Sequence, residues 1–589
     1  MRTLAPLLLL ACATGPTATD DTDTDAATGF CAAEGLPVVE LVTKGDFGIG
    51  REALARPFTV PTLGGDWALE AHWTGCDVYL FVPDKDASGQ QFAGSVFDDD
   101  HRKLLRALPR NTHVFFFADE DGAKATVTAL KETYEGVLAK LPEEEAAHWR
   151  DRLHYVSKRI SKVGGWLADH WDRTEYGFLV DRSQHLRDVG SLGDPERFDQ
   201  SVGWFAPNLS FAANEVVYAN FLAARQARLD AQDDVTLVPV ITEELVGGKT
   251  LDLTLPPAAT MAGFDTLELD VTQRCAGEDG DRGPREFGTC PAWDYLAYLD
   301  QCGIPVADPD PAATQACQPK VDGDSPVPAE TQACSCTAPG GAVVEATQTC
   351  KADGSGFGAC ACPCVELGRW ITTYHREGRW IWDVSHALAT LGDGGTQRLR
   401  YRGGNTYLTS VDLRLSTRRD LGRPAERIPL FTGGAFNKAY NDGRDPVTVT
   451  IPADATHVEL VAVVSGHGFG KDLANCAEFC NHTHHFTVGG QEHVVEHPEA
   501  DDQLGCVAQV EDGTVPNQFG TWFLGRGGWC PGKEVVPWVF DLDDDVTPGQ
   551  PVTITYEGRL AGQAYDPTPR DGDGFGARID LDSFLVIWR

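Results

Sequence analysis

Two acidic residues set among cysteines stand out in the second half of the chain. Asp294 lies in Cys290-Pro-Ala-Trp-Asp-Tyr-Leu-Ala-Tyr-Leu299, and Glu478 lies in Asn475-Cys-Ala-Glu-Phe-Cys480. A carboxylate on a backbone held by cross-links can activate water, and a second polar group can stabilise the charge that develops, so the pair suits hydrolysis. Downstream, Gly527-Gly-Trp-Cys-Pro-Gly532 places Arg526 three residues before Trp529. A different chemistry is suggested by His482, His484 and His485, with His467 before them. On a strand His482 and His484 share one face.

The elements that must carry these residues fall into regions. With 589 residues the chain has room for three domains of ordinary size. Its hydrophobic content of 42% permits sizeable cores. A net charge of −38 argues against nucleic-acid binding, which needs Lys and Arg against phosphate, and against anionic membrane surfaces. Residues 1–12 read as an export signal: Arg2 is the positive start, Leu4 to Leu10 the short apolar run, and Cys12 the residue to be lipidated, with ordinary signal-peptide cleavage as the alternative. That run is too short to span a bilayer. Residues 13–29, rich in Thr and Asp, read as a tether. Of the 17 cysteines, setting Cys12 aside leaves an even sixteen, which suits disulfides in an oxidising compartment. Zinc binding by the Cys-x-Cys pairs around Cys334 and Cys360 is the alternative. Their irregular spacing favours disulfides.

Residues 30–245 alternate strand-like runs (Val78 to Val82, His113 to Ala118) with helical patterns (His101 to Leu108, Ala123 to Ala139, Asn214 to Leu229). This predicts an α/β domain with a mostly parallel sheet. The stretch Phe178 to Val189 faintly resembles the late strand pair of thioredoxin-like folds, and a thioredoxin-like domain here is expected to be redox-inactive. Cys76 stands alone apart from Cys31, and the two are able to form a bridge. Near Thr250 short segments of period two take over: Thr250 to Leu255, Leu267 to Val271, Val447 to Ile451, Val458 to Val464 and Val552 to Tyr556. With Gly, Pro, Asn and Asp between them, they predict two antiparallel sandwiches, 246–420 and 421–589. Eight cysteines crowd the insert at 301–365, which has too little apolar bulk to build a core and must be held by cross-links.

Read in order, these segments resemble the peptide-N-glycosidase F family over roughly the last 340 residues. The resemblance is carried by Cys275 and Cys290 ahead of Trp293-Asp294, Glu366-Leu-Gly-Arg-Trp-Ile-Thr-Thr-Tyr374, Trp382-Asp-Val384 and Ser465-Gly-His-Gly468. It continues through Cys476-Ala-Glu-Phe-Cys480, Thr483-His484, Leu504-Gly-Cys506, Gly528-Trp-Cys-Pro-Gly532 and the closing strand Ile579 to Val586. It implies two eight-stranded jelly rolls side by side with the active site at their interface. It also implies that Asp294 acts on the first N-acetylglucosamine and water, on a strand starting just after a disulfide. Glu478 would bind the peptide side from a loop closed by Cys476–Cys480, and Arg526 would contact substrate. Trp293, His467 and Trp529 join them as expected substrate contacts. Cys275, Cys290, Cys476, Cys480, Cys506 and Cys530 are the disulfide candidates.

The chain departs from the family in several places. No carboxylate stands in Arg402-Gly-Gly-Asn-Thr-Tyr-Leu408, where the family has a third acid. Tyr295 replaces an Arg, and His467 replaces a Trp. The implied activity is hydrolysis of the amide between an N-linked glycan and asparagine, with N-glycoproteins or glycopeptides as substrates and no cofactor or metal. The implied form is a monomer, exported and tethered by lipid at the outer membrane, the cell surface or in the periplasm. The alternative is a surface glycan-binding or adhesion lipoprotein without turnover. A further one is a copper-dependent monooxygenase-like protein of the same fold. That chemistry also needs a thioether, and the methionines here are Met1 and Met261.

Overall fold

The computed structural model describes residues 30–589 except 51, 86–94, 99, 175–176, 191–211, 277–289, 307–316, 321–326, 340, 359, 405, 420–421 and 519. The expected export signal, the tether and Cys12 lie outside the described residues. No described helix is long and apolar enough to cross a membrane.

The N-terminal region is built on a five-stranded sheet in the order Leu153–Tyr155, Thr112–Phe117, Val78–Pro83, Gly177–Val180, Leu186–Gly190. The sheet is mixed. The first three strands pair in parallel, and the last two close as an antiparallel hairpin. Val78–Pro83 and Thr112–Phe117 are buried at every position because helices and loops cover both faces. Cys31 and Cys76 form a disulfide just ahead of the central strand Val78–Pro83. The helix Ala212–Asp230 contributes Ala212, Ala213 and Val216 to this core.

Two antiparallel sandwiches follow. The first faces a four-stranded sheet (Gly378–Asp383, Thr266–Cys275, Tyr407–Ser416, Thr236–Leu245) against a five-stranded one (Lys533–Glu534, Cys364–Ile371, Leu296–Cys302, Gly394–Arg402, Gly248–Pro257). Thr236–Leu245 therefore belongs to the first sandwich, as its edge strand against Tyr407–Ser416, and the sandwich begins before residue 246. The second sandwich has two four-stranded sheets. One is Pro424–Ala435, Phe575–Trp588, His457–Phe469, Trp538–Asp541; the other is Val447–Thr450, Pro551–Leu560, His482–Val488, Gln491–Glu496.

Burial follows position. Pro551–Leu560 alternates exposed and buried, as a half-covered strand should. His457–Phe469, expected to alternate, is buried from His457 through Gly468. One of its faces packs in its own core and the other packs on the first sandwich, where Val463 meets Ile371, Trp529 and Val535. Polar bonds fix the docking. Arg369 reaches the Ser465 hydroxyl at 2.8 Å and the Asp580 carbonyl at 2.9 Å, and the Trp380 indole donates to the Gly532 carbonyl at 2.9 Å.

The insert forms its own three-stranded sheet, Ile304–Pro305, Thr331–Thr337 and Val343–Thr349. Disulfides Cys302–Cys364, Cys317–Cys350, Cys334–Cys360 and Cys336–Cys362 hold it. Every cysteine among the described residues is paired.

Candidate active site

Asp294 is placed by a disulfide ahead of it and by hydrogen bonds across the bend that holds it. The Cys275–Cys290 disulfide ties its segment to the end of strand Thr266–Cys275. The chain then bends, and the next strand begins only at Leu296, so Asp294 sits in the bend and not on the strand. The Thr372 hydroxyl spans the bend: it donates to the Trp293 carbonyl at 3.1 Å and accepts from the Tyr295 N–H at 2.8 Å. His375 adds bonds to the carbonyls of Pro291, through its N–H at 2.8 Å, and Cys290, through its ring at 3.0 Å. The Tyr374 hydroxyl donates to the Asp294 carboxylate. Burial pushes the Tyr374 phenol well above its ordinary range, so it stays a donor.

Glu478 is presented from the opposite sandwich. Asn475 enters the left-handed region at φ 50° and turns the chain into the single helical turn Cys476–Phe479, which the Cys476–Cys480 disulfide closes. The carboxylate accepts from the Gly468 N–H at 3.2 Å and lies 3.3 Å from Arg526 Nε. Arg526 is wholly buried. It donates to the Leu524 carbonyl at 2.8 Å and to Thr521 at its carbonyl (3.2 Å) and hydroxyl (3.1 Å). Its plane lies over Phe479 and Trp529, at 4.4 and 5.2 Å from the ring centres. The Cys506–Cys530 disulfide secures the loop that brings Arg526 and Trp529 here.

Both carboxylates line one cavity of about 530 Å³ between the sandwiches, with Trp293, Tyr295, Tyr374, His467, Phe469, Thr521, Trp529 and Phe575 among its walls. Trp293, 63% exposed, stands at the rim. His467 stacks on Trp529 at 5.2 Å and bonds the Ser465 hydroxyl at 2.8 Å, and Trp529 donates to the Gly466 carbonyl at 2.7 Å. Among the described lining residues Asp294 and Glu478 are the two carboxyls. Arg526 stands behind Glu478 and is absent from the lining.

Electrostatics separates the two acids. Burial, reinforced by the Asp294 charge and opposed by Arg526, pushes the Glu478 carboxyl up to about 7. Burial also raises Asp294, against the pull of Arg526 and the Tyr374 hydroxyl. Burial drives His467 down to about 3, which keeps it neutral. The arrangement offers a proton donor at Glu478, an acceptor at Asp294, and a fixed cation behind them.

Sequence reasoning named Asp294, Glu478, Arg526, Trp293, His467 and Trp529, and the fold brings them together. It missed Thr372, Tyr374, Phe469 and Phe575. Thr372 and Tyr374 lay in a stretch read only as a strand, while Phe469 and Phe575 sit at strand ends with no local mark. His482 and His484 share a buried face of strand His482–Val488, and His485 points away to Glu492 at 3.0 Å. The insert's Cys-x-Cys sulfurs are bound in disulfides, which leaves no thiolate for zinc there.

Residues 435–585 match the family model described as "Peptide-N-glycosidase F, C terminal". A peptide-N(4)-(N-acetyl-beta-D-glucosaminyl)asparagine amidase F from Elizabethkingia miricola is 27% identical over 158 residues, or 26% of this chain. The match spans 40% of that relative's length. The crystal structure of a peptide-N(4)-(N-acetyl-beta-D-glucosaminyl)asparagine amidase aligns with a TM-score of 0.39 at 17% identity, covering 60% of this chain and 96% of that one. PNGF-II aligns with a TM-score of 0.38 at 12% identity, covering 62% and 67%. Residues 435–585 are thus similar to the peptide-N-glycosidase F C-terminal domain, and through them the chain is related to the peptide-N-glycosidase F family.

Proposed function

We propose that the chain is an amidase that cleaves the bond between an N-linked glycan and the asparagine of a glycoprotein or glycopeptide. The observation that carries this reading is the meeting of Asp294 and Glu478, from opposite sandwiches, in a single cavity backed by the buried Arg526. Asp294 is the general base that activates water. The Tyr374 hydroxyl holds its orientation and competes for its charge. Glu478, in the protonated form that its pKa of about 7 keeps available at neutral pH, donates a hydrogen bond to the amide as charge develops on it, and Arg526 keeps the carboxyl in place. Trp293, Phe469 and Phe575 offer apolar faces for sugar rings around the opening. The related amidase of Elizabethkingia miricola bears this activity in its name.

Eight disulfides suit an exported protein. Cys12 is the one cysteine outside these pairs, so the proposal includes its lipidation.

The test is mass spectrometry of a denatured N-glycoprotein and a glycopeptide after incubation with the oxidised protein. Conversion of Asn to Asp with release of the whole glycan, lost in Asp294→Asn, supports the amidase. Glycan binding without conversion on varied glycans would overturn it in favour of a non-catalytic glycan-binding protein.

A further inference from the structure

Behind the Glu478 loop lies a second cluster of chemistry-bearing side chains. His482 and His484 share the inner face of their strand, and His497, just ahead of the turn Pro498–Asp501, closes on them. The three are 0, 0 and 1% exposed. One ring nitrogen of each lies within 4.8 Å of the other two.

The remaining nitrogens face outward to acceptors. His484 Nδ1 meets the Tyr556 hydroxyl at 2.7 Å, and that hydroxyl meets Tyr440 at 2.7 Å. His497 Nδ1 faces the Glu499 carboxylate at 3.8 Å. His482 Nε2 sits beside the Ala477 carbonyl, out of line for a well-formed hydrogen bond. It is pressed against the backbones of Gly466 and Gly527, where an added Cβ would stand 2.3 and 2.2 Å from it. His482 Nδ1 and His484 Nε2 are then left facing each other, 2.8 Å apart, while His497 Nε2 is buried with no hydrogen-bond partner. A carbonyl, a phenol and a carboxylate behind three rings form the outer shell that sets tautomer and aim in metal-binding histidines. One proton shared by His482 and His484 would satisfy that pair and leave His497 Nε2 unpaired.

We propose that His482, His484 and His497 bind one late transition-metal ion, zinc or cuprous copper, which braces the Glu478 and Arg526 loops from behind. Imidazole nitrogen suits both borderline Zn²⁺ and soft Cu⁺, whereas calcium and magnesium require oxygen. Met261, the methionine within the described residues, is buried in the first sandwich's core, so the donor set is all nitrogen. Metal–nitrogen bonds of about 2.0–2.1 Å need the inward nitrogens to open to about 3.3 Å, a small rotation of two rings. Ala477 is part of the Glu478 turn. The Gly527 N–H donates to the Glu478 carbonyl at 2.7 Å, and the Gly466 N–H donates to the Gly527 carbonyl at 2.7 Å. Rings fixed at this point therefore fix both loops.

The test uses the untagged, oxidised full chain, refolded with Zn²⁺, Cu⁺ or Co²⁺ and freed of loose ion. Elemental analysis is expected to give about one ion per chain, and X-ray absorption an all-imidazole shell at about 2.0 Å. The Co²⁺ form should show the d–d bands of a low-coordinate site, and competition between Zn²⁺ and Cu⁺ identifies the preferred ion. In His497→Gln the content should fall about tenfold. In His457→Gln, at the separate His457–Asp541–Asp543 group, it should stay at one. Below about a tenth of an ion per chain with every metal, or a loss in His457→Gln alone, would overturn the site. If His497→Gln fails to fold, the wild-type Co²⁺ and X-ray absorption spectra decide. None of these readouts depends on glycan cleavage.

Discussion

At the scale of residues, the candidate site turns on two carboxyls with different surroundings. Asp294 receives the Tyr374 phenol and opens to the cavity, while burial pushes the Glu478 carboxyl up to about 7. Loss of a general base lowers rate by about 10²–10⁴-fold, which is the expected fall in kcat for Asp294→Asn with folding unchanged. Steady-state kinetics on a glycopeptide, beside a thermal melt, checks it. Glu478 makes a second prediction. Its folded pKa of about 7 exceeds the ordinary 4.5, so between these values the folded chain holds a proton that the unfolded chain has lost. Stability must then fall as pH rises through that window, by on the order of 3 kcal/mol from this one group. Glu478→Gln removes that component. Urea denaturation at pH 5 and pH 8 should show a smaller loss in the variant than in the wild type, and equal losses would refute the assignment. Thr372→Val supplies a third test. It strips both hydrogen bonds that brace the bend at Asp294, and unfolding should become easier by about 1–3 kcal/mol, read by urea denaturation.

At the scale of elements, the helix Ala212–Asp230 links the N-terminal region to the site. Its Glu215 forms a two-pronged ion pair with Arg376 at 3.0 and 3.1 Å and accepts from Asn517 at 3.1 Å, all of it buried. Tyr218 of the same helix packs in one cluster with Tyr374, the residue that donates to Asp294. Removing one partner of a buried pair strands the other charge, so Glu215→Ala should destabilise the chain by about 3–5 kcal/mol, measured by chemical denaturation. At a temperature where the variant remains folded, kcat should fall more than KM rises, because Tyr374 loses its backing. A variant with wild-type stability would sink this account. The helix itself was legible from its 3.6-residue apolar pattern, but the burial of Glu215 was not, since its partner lies 161 positions away. The same limit hid the Tyr374–Asp294 contact and the approach of His497 to His482. Asp294 and Glu478 were legible because cysteines mark their segments locally. Strand His457–Phe469 was found, yet its alternation suggested one open face, and only the docked first sandwich explains why both are covered.

At the scale of the whole molecule, the insert between Cys302 and Cys364 is separable from the machinery around Asp294. Among the described residues its strands pair only with one another. Three of its disulfides are internal, and the fourth closes its base where Cys302 and Cys364 are direct cross-strand partners. The two flanking strands are already antiparallel neighbours in the five-stranded sheet. They can be rejoined by a two-residue Asn-Gly turn, the connection that matches the natural twist of such a pair. Excision of residues 303–363 in favour of that turn should therefore leave the sandwiches folded, with the main melting transition moved by less than about 4 °C. Cleavage of a short glycopeptide should also be retained, because no described residue of the insert lines the cavity. A truncated chain that fails to fold would mean that the insert supports the first sandwich after all. Activity kept on the short glycopeptide but lost on an intact glycoprotein would instead make the insert a contact surface for large substrates.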